Sequence, residues 1–169
     1  MKGYKVFNPD WTCRGFQYEV GKTYTHEGEI SLCDSGFHFC PRLADCFNYY
    51  AFDSKNKVAE VIAEGETITQ DDDSKAVTDK ITIVRELSWH EVLDMVNSGK
   101  NCTGFKNSGY YNSGYYNSGD WNSGDHNSGD HNSGSRNSGY YNSGYYNSGS
   151  RNSGSRNSGY YNSGDDNSG

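Results

Sequence analysis

The sequence predicts an α+β N-terminal domain, residues 1–96, followed by a β-solenoid, residues 97–169. The composition changes near residue 97, from mixed apolar and charged positions to Asn, Ser, Gly, Tyr and little else. From Asn97 to Gly169 one five-residue unit, Asn-Ser-Gly-x-x, repeats without an insertion. A fixed short period is typical of a solenoid, in which each unit is buried by stacking on its neighbours. Because disorder needs no register, the strict phase argues against a low-complexity tail.

Alternating apolar residues predict the strands of the N-terminal domain. Strands are expected at residues 3–7, 16–20, 36–39, 57–63 and 81–84, with a turn at Asn8-Pro9-Asp10. Pro41 suits the first turn of a helix, and apolar residues from Leu43 to Tyr50 follow at helical spacing. Ser88-Trp89-His90-Glu91 is a capping box and predicts a second helix that runs to about residue 96. Strands mixed with short helices indicate a small α+β domain.

The repeat unit predicts how a coil is filled. Asn at the first position is expected to hydrogen-bond to the identical Asn in the coils above and below, and Gly at the third leaves no side chain. Four units, or twenty residues, would enclose an empty centre, whereas two units, or ten residues, would bring the walls together. Like variable pairs also fall together in each decapeptide from Asn107, although local duplication gives the same pattern. Ten residues per coil is favoured, and twenty stays open.

The charge is unevenly distributed along the chain. Residues 1–96 hold ten Lys/Arg and seventeen Asp/Glu, a net charge of −7, whereas five of each cancel from residue 97 onward. Attraction to phosphate needs clustered Lys and Arg, so direct nucleic-acid binding is not expected.

The sequence predicts neither a metal site nor a cofactor. Cys33, His38, Cys40 and Cys46 do not match the ligand spacing of a zinc site, and the acidic loop at residues 70–74 lacks the later ligands of a calcium loop. No P-loop, GxSxG or metal-protease motif occurs. Without a signal peptide or an apolar run of transmembrane length, we expect a cytoplasmic protein with reduced thiols and no membrane association.

Three segments of the N-terminal domain carry a resemblance: Tyr4-Lys5-Val6-Phe7, residues 13–24 (CRGFQYEVGKTY) and residues 35–40 (SGFHFC). They are similar to a domain common in phage and prophage proteins, which has no assigned biochemical function and is often followed by repeats of this kind. The resemblance implies a viral or prophage origin, in a bacterial host, and no particular reaction.

A second resemblance rests on Gly36-Phe37-His38-Phe39, on the helix that ends in Asn48-Tyr49-Tyr50, and on Val58-Ala59-Glu60-Val61. These segments are similar to the central part of ADP-ribosyltransferase folds. That resemblance implies that His38 stacks at an NAD site and that Glu86 is the catalytic acid. However, Tyr4-Lys5 stands where those enzymes use His or Arg, and no Glu-containing signature surrounds Glu86. A protein without catalytic activity is preferred, and a transferase-like enzyme in residues 1–96 is the alternative.

The repeats resemble the Asn-x-Gly-x-x branch of the pentapeptide-repeat superfamily, whose better-known members carry Leu or Phe at the centre of the unit and build a four-sided β-helix. Some members imitate duplex DNA and block DNA-handling enzymes. The resemblance therefore implies, as another alternative, an anti-defence protein that inhibits a host nuclease or topoisomerase. The neutral charge of the repeats argues against this alternative.

The predicted function is a phage or prophage interaction or structural protein without catalytic activity. Tyr, Trp and Arg are enriched at binding hot spots, although stacked tyrosines also stabilise a coil ladder. The predicted surface, for a protein partner or another copy, consists of Tyr110, Tyr111, Tyr115, Tyr116, Trp121, Arg136, Tyr140, Tyr141, Tyr145, Tyr146, Arg151, Arg156, Tyr160 and Tyr161. Because the repeat stops in mid-unit without a cap, Asn162 and Asn167 are expected to mediate a homodimer or a filament.

Overall fold

The computed structural model describes residues 1–32, 34–70 and 73–169, which form two compact units, Met1–Val92 and Leu93–Gly169. Cys33, Asp71 and Asp72, which belong to the metal and acidic-loop predictions, lie outside the described residues. Along the chain, the first unit contains β1 (Lys2–Phe7), β2 (Thr12–Cys13), β3 (Phe16–Gln17), β4 (Thr23–Thr25), β5 (Phe37–Phe39), α1 (Leu43–Cys46), β6 (Lys57–Ala63), β7 (Thr67–Thr69), β8 (Ala76–Thr78) and β9 (Lys80–Glu86), and α2 (Trp89–Val96) crosses the boundary.

Antiparallel sheets dominate the described part of the first unit. One sheet has the order β1-β6-β9-β4, another has the order β5-β8-β7, and β2 pairs with β3 in a hairpin. Buried side chains alternate along β6 and β9, where Val61 pairs with Ile83. These side chains pack with Phe7, Phe37 and Phe39 in an apolar core. The unit is therefore rich in strands, with few helical residues.

Two predicted elements of the first unit are shorter than expected. The strand predicted at residues 16–20 ends at Gln17. The bond from the N–H of Tyr18 to the carbonyl of Trp11 is the last of its ladder with β2, and the chain then turns through Gly21 at φ +82°. The helix predicted from Pro41 to Tyr50 is the single turn Leu43–Cys46, whose N-cap, Arg42, makes no side-chain capping bond. Without a cap, the first backbone N–H groups of a helix lack a partner.

The capping box is confirmed in α2. The backbone N–H of Ser88 donates to Oε2 of Glu91 at 2.8 Å, and the N–H of Glu91 donates to Oγ of Ser88 at 3.3 Å. The two side chains thus satisfy each other's free donors at the start of the helix.

Parallel ladders with a ten-residue offset build the second unit. The strands β10 (Ser133–Ser135), β12 (Ser143–Tyr145) and β14 (Ser153–Ser155) form one sheet, and β11 (Ser138–Tyr140), β13 (Ser148–Ser150) and β15 (Ser158–Tyr160) form another. Ser133 pairs with Ser143, and further upstream Ser113 bridges to Ser123 with the same offset. Each coil therefore consists of two repeat units, which agrees with the favoured ten-residue coil. This arrangement fits a β-helix.

Asparagine side chains fill each coil. Asn132, which is 1% exposed, receives the N–H of Asn142 at Oδ1, at 3.0 Å. Its Nδ2 donates to the carbonyls of Ser128 and Gly139, at 3.2 and 2.8 Å. Both hydrogens of the Asn132 amide and one lone pair of its oxygen are therefore used. At Asn132 the expected contact between identical asparagines thus runs from side chain to backbone, and a direct contact between amides is formed by Asn167 and Asn157.

Glycine at the third position lets neighbouring coils approach each other. Gly144 has φ +111°, and a Cβ added to it would lie 2.0 Å from the carbonyl oxygen of Gly154 in the next coil. A side chain at this position would therefore collide with the backbone, which is why the unit tolerates only Gly there.

Candidate functional site

The fifth residue of each repeat unit has a left-handed backbone. Its φ lies between +55° and +61° at every unit from Asn101 to Asp166. That conformation costs an L-residue about 1–2 kcal/mol, and it is least tolerated by β-branched residues, which never occupy the position here. Contacts between coils must offset this cost.

Stacked side chains of fifth residues supply such contacts. The first column consists of Tyr111, Trp121, His131, Tyr141, Arg151 and Tyr161. The ring centroids of Tyr111 and Trp121 are 4.3 Å apart with planes 12° apart, and those of His131 and Tyr141 are 4.8 Å apart with planes 2° apart. The guanidinium of Arg151 lies 5.9 Å from the Tyr141 ring and 5.1 Å from the ring of the tyrosine after it in the column. Aromatic and cation–π contacts therefore follow one another along the column.

A second column consists of Lys106, Tyr116, His126, Arg136, Tyr146, Arg156 and Asp166. Nη1 of Arg136 donates to the Tyr146 hydroxyl at 2.6 Å, while its guanidinium lies 5.2 Å from the ring centroid. Arg156 donates to both carboxylate oxygens of Asp166, at 2.6 and 2.7 Å, and this pairing lowers the pKa of Asp166. The three predicted binding arginines, including Arg151 of the first column, are thus bonded to or stacked on neighbouring coils.

Fourth-position tyrosines are arranged differently. The rings of Tyr110, Tyr140, Tyr145 and Tyr160 stack on no other ring among the residues that the structure describes, and each is at least half exposed. Tyr115 differs, since its ring centroid lies 6.5 Å from that of Phe105. The predicted surface is therefore divided by contact rather than by exposure. Fifth-position side chains contact neighbouring coils, whereas these four fourth-position rings do not stack, and both sets are exposed. We call Tyr110, Tyr140, Tyr145 and Tyr160 the open tyrosines.

Fourth-position aspartates act on the backbone. Oδ1 of Asp120 accepts the N–H of Tyr110 at 2.7 Å, and Oδ1 of Asp125 accepts the N–H of Tyr115 at 2.8 Å. The four ladders with three paired residues contain no Asp at this position, whereas ladders that contain one shrink to single bridges at Ser, such as Ser118 with Ser128. The carboxylate thus takes the place of a carbonyl in the ladder.

The residues predicted to mediate self-association are less buried than the asparagines before them. The N–H of Asn162 bonds to Oδ1 of Asn152 at 3.0 Å, and its Nδ2 donates to the carbonyl of Ser158. Asn167 donates from Nδ2 to Oδ1 of Asn157 and to the carbonyl of Ser163, both at 3.0 Å. Self-association through them stays a prediction.

The two residues of the transferase-like alternative lie in different sheets. His38 belongs to β5 and pairs with Val77, whereas Glu86 ends β9 and forms a 2.8 Å ion pair with Lys57. His38 is half-buried, and burial lowers its pKa. Its Nε2 is buried without a hydrogen-bond partner among the described residues.

His38 also lines a cavity of about 640 Å³ in the first unit, and Glu86 is not among the lining residues. The cavity wall includes Lys5, Arg14, Tyr18 and Tyr50. Sequence reasoning missed these four residues as a group. The one available signal is the alternation of β1, which places Lys5 on the same side as the buried Gly3 and Phe7.

Within the described ranges, no cluster of three or more His, Cys, Asp or Glu has the arrangement of a metal site. None of the helices in that part of the chain has the length and apolar character needed to cross a bilayer.

Residues 1–95 match the family model described as "Domain of unknown function (DUF7666)". Residues 95–139 and 131–169 match the model for "Pentapeptide repeats (8 copies)", which makes the chain a repeat-scaffold protein. No curated protein and no solved structure matches it. Because the first match covers more than half of its length, the chain belongs to the DUF7666 family, whose domain of unknown function is followed here by pentapeptide repeats.

Proposed function

We propose that the chain is a phage or prophage scaffold without catalytic activity, which binds a protein partner through the open tyrosines. The observation that carries this proposal is that these exposed rings stack on no other ring among the described residues, whereas fifth-position rings contact side chains of neighbouring coils. Tyr140, for example, is 53% exposed and its ring contacts no other ring in the described chain, while its neighbour Tyr141, although 55% exposed, is stacked between His131 and Arg151. Exposed tyrosines on a rigid frame bind at low entropic cost, because little rotamer freedom remains to be lost.

Charge supports a protein partner over the nucleic-acid alternatives. The repeats carry five basic and five acidic residues, so they offer no basic groove for a phosphate backbone. A DNA mimic, in turn, needs free carboxylates. Here Asp120 and Asp125 bond to the backbone of the preceding coil, and Asp166 is paired with Arg156. We therefore place both alternatives below protein binding.

The absence of catalysis is part of the proposal and has its own test. The full-length protein is incubated with labelled NAD and candidate acceptor proteins, and we expect no transfer of label. Transfer that is abolished by His38→Ala or by Glu86→Ala would instead establish the transferase-like alternative.

The binding proposal is tested with a variant in which the four open tyrosines are replaced by Ser. Ser already occupies the fourth position at Ser135, Ser150 and Ser155, so the coils should be retained. The matched control replaces four exposed second-position serines, Ser118, Ser138, Ser148 and Ser158, by Ala. Both variants and the wild type are compared by cross-linking in extract of the bacterial host and by light scattering for self-association.

We expect the wild type and the control to bind a partner or another copy of the chain. The tyrosine variant should bind it at least tenfold more weakly. Equal binding by all three proteins contradicts the proposal. Self-association that survives the tyrosine replacement but is lost with Asn162→Pro and Asn167→Lys assigns the contact to those asparagines instead.

A further inference from the structure

The cavity of the first unit contains a lysine in an unusual environment. Lys5 is 5% exposed, although long charged side chains are almost never buried unless they are paired. Its Nζ donates to the carbonyl oxygen of His38 at 2.7 Å. It also lies 5.7 Å from the Phe7 ring centroid and 5.5 Å from that of Tyr18. The His38 carbonyl takes one of the three donors of the ammonium group, and the Cys13 side chain is a second hydrogen-bond partner.

No counter-charge faces Lys5 in the part of the chain that the structure describes. Among the described residues, no carboxylate forms an ion pair with Nζ. The ionisable groups near it are the thiols of Cys13, Cys40 and Cys46, the phenol of Tyr18 and the imidazole of His38. Burial raises the pKa values of Tyr18 and Tyr50, and a hydrogen bond with Cys40 together with burial raises that of Cys46, so these groups are neutral. Burial correspondingly lowers the pKa of Lys5. A buried cation without a counter-charge is costly, and an anion in the cavity would offset that cost.

Two further nitrogen groups line the same cavity. Nε2 of His38 is buried and has no hydrogen-bond partner among the described residues, and Arg14 lies in the turn between β2 and β3. Arg14 and Gly15 have φ +50° and +77°, as in a two-residue turn in which Asn-Gly is the usual choice. An Arg kept in a left-handed conformation beside a cavity is the kind of local strain found at functional sites.

The remaining wall is suited to an apolar body. Phe16, Tyr18, Phe37 and Tyr50 line it, while the carboxylates of Glu27 and Asp34 belong to exposed residues. A volume of about 640 Å³ lies within the range of small-molecule sites. We propose that this cavity binds a small organic anion with an aromatic or apolar body, whose anionic group is held by Lys5, His38 and Arg14. This site is independent of the repeat surface.

The test uses the full-length protein and two fluorescent probes, anilinonaphthalene sulfonate and the uncharged N-phenyl-1-naphthylamine. In Lys5→Met, the dissociation constant of the sulfonate should rise about tenfold or more, as expected for the loss of one charged hydrogen bond. The uncharged probe should change less than twofold. Lys22→Met, at an exposed lysine outside the cavity wall, is the control and should change neither constant.

Competition on the wild type does not depend on the folding of any variant. Benzoate should displace the sulfonate, and its neutral analogue benzamide should not. Arg14→Gln should weaken the binding of the sulfonate several-fold. The proposal is overturned if the wild type shows no saturable binding of the sulfonate, if Lys5→Met weakens both probes equally or neither, or if benzamide competes as well as benzoate.

Discussion

A buried asparagine fills most of the repeat units, in the place that an apolar side chain such as leucine takes in an ordinary core; Cys102 is the exception at the first position. It contributes little apolar area but connects three backbone groups of its own coil and the coils beside it. Asn132, for example, binds the N–H of Asn142 and the carbonyls of Ser128 and Gly139. The stabilisation is therefore directional, and it depends on every group having its partner.

Replacing this asparagine should consequently be more harmful than its volume suggests. Asn132→Ala removes the side-chain partner of the Asn142 N–H and of the Gly139 carbonyl, whereas the Ser128 carbonyl still accepts the N–H of Gly139. At about 1–3 kcal/mol for each of the two groups, we expect a loss of at least about 2 kcal/mol in the free energy of unfolding. Ser133→Ala, at the exposed neighbour, should change it by less than about 0.5 kcal/mol. Urea unfolding measures both, and hydrogen exchange at residues 128–142 shows whether protection is lost there. A loss below about 1 kcal/mol for Asn132→Ala would contradict this role.

At the scale of an element, the capping box of α2 links stability to pH. The Arg85 guanidinium, followed by the backbone N–H and hydroxyl of Ser88, lowers the pKa of Glu91 from 4.5 to about 2. Because the folded-state pKa is depressed, the stabilisation is complete above 4.5 and is lost as the pH falls towards 2. At pH 7 the wild type should therefore have a higher melting temperature than Glu91→Gln, and the difference between the two melting temperatures should become smaller below pH 4.5. If the difference in melting temperature stays constant from pH 7 to pH 3, the ionisation of Glu91 is not its cause.

The columns offer a second test at this scale, on two adjacent tyrosines. Tyr141 stacks on His131 and Arg151, whereas the ring of Tyr140 has no stacking partner in the described chain. Tyr141→Ala should cost about 1–2 kcal/mol of stability, and Tyr140→Ala less than about 0.5 kcal/mol. Thermal unfolding of the two variants decides the matter. Equal destabilisation would mean that the fifth position is not specialised for holding coils together.

Sequence predicts the repeating and the locally encoded features of this fold. The capping box follows from Ser88 and Glu91, and the ten-residue coil follows from a unit too small to fill a wider one. The hairpin of β7 and β8 was not predicted, because its strands are three residues long and its partner strand, β5, is distant in sequence. The division between stacked and open tyrosines was not predicted either, because it depends on a left-handed φ and on the residue ten positions away.

Lys5 is the clearest case in which the usual preference of a residue type predicts the wrong environment. Lysine is normally placed on a surface, yet alternation along β1 puts Lys5 on the same side as Gly3 and Phe7. Its burial depends on strands and loops that reach it only in the folded domain. Conflicts of this kind between local preference and the fold are expected at functional positions.

At the scale of the whole molecule, the two units are stabilised by different chemistry. The first unit has an apolar core built on residues such as Phe7, Val61 and Ile83, whereas buried amides and glycines close the coils of the second. Exposure of apolar surface raises the heat capacity of unfolding, and exposure of polar surface lowers it. The two units should therefore contribute very unequally to that quantity.

This inequality gives a calorimetric prediction for the intact chain. An ordinary globular protein of 169 residues would show a heat-capacity change of about 2.0–2.5 kcal/mol/K on unfolding, at about 12–15 cal/mol/K per residue. Because the repeats bury mainly amides, we expect about 1.5 kcal/mol/K or less for the whole chain, and differential scanning calorimetry measures it directly. A value of 2 kcal/mol/K or more would mean that the repeats bury apolar surface as a conventional core does. The amide-filled coil would then not be the source of their stability.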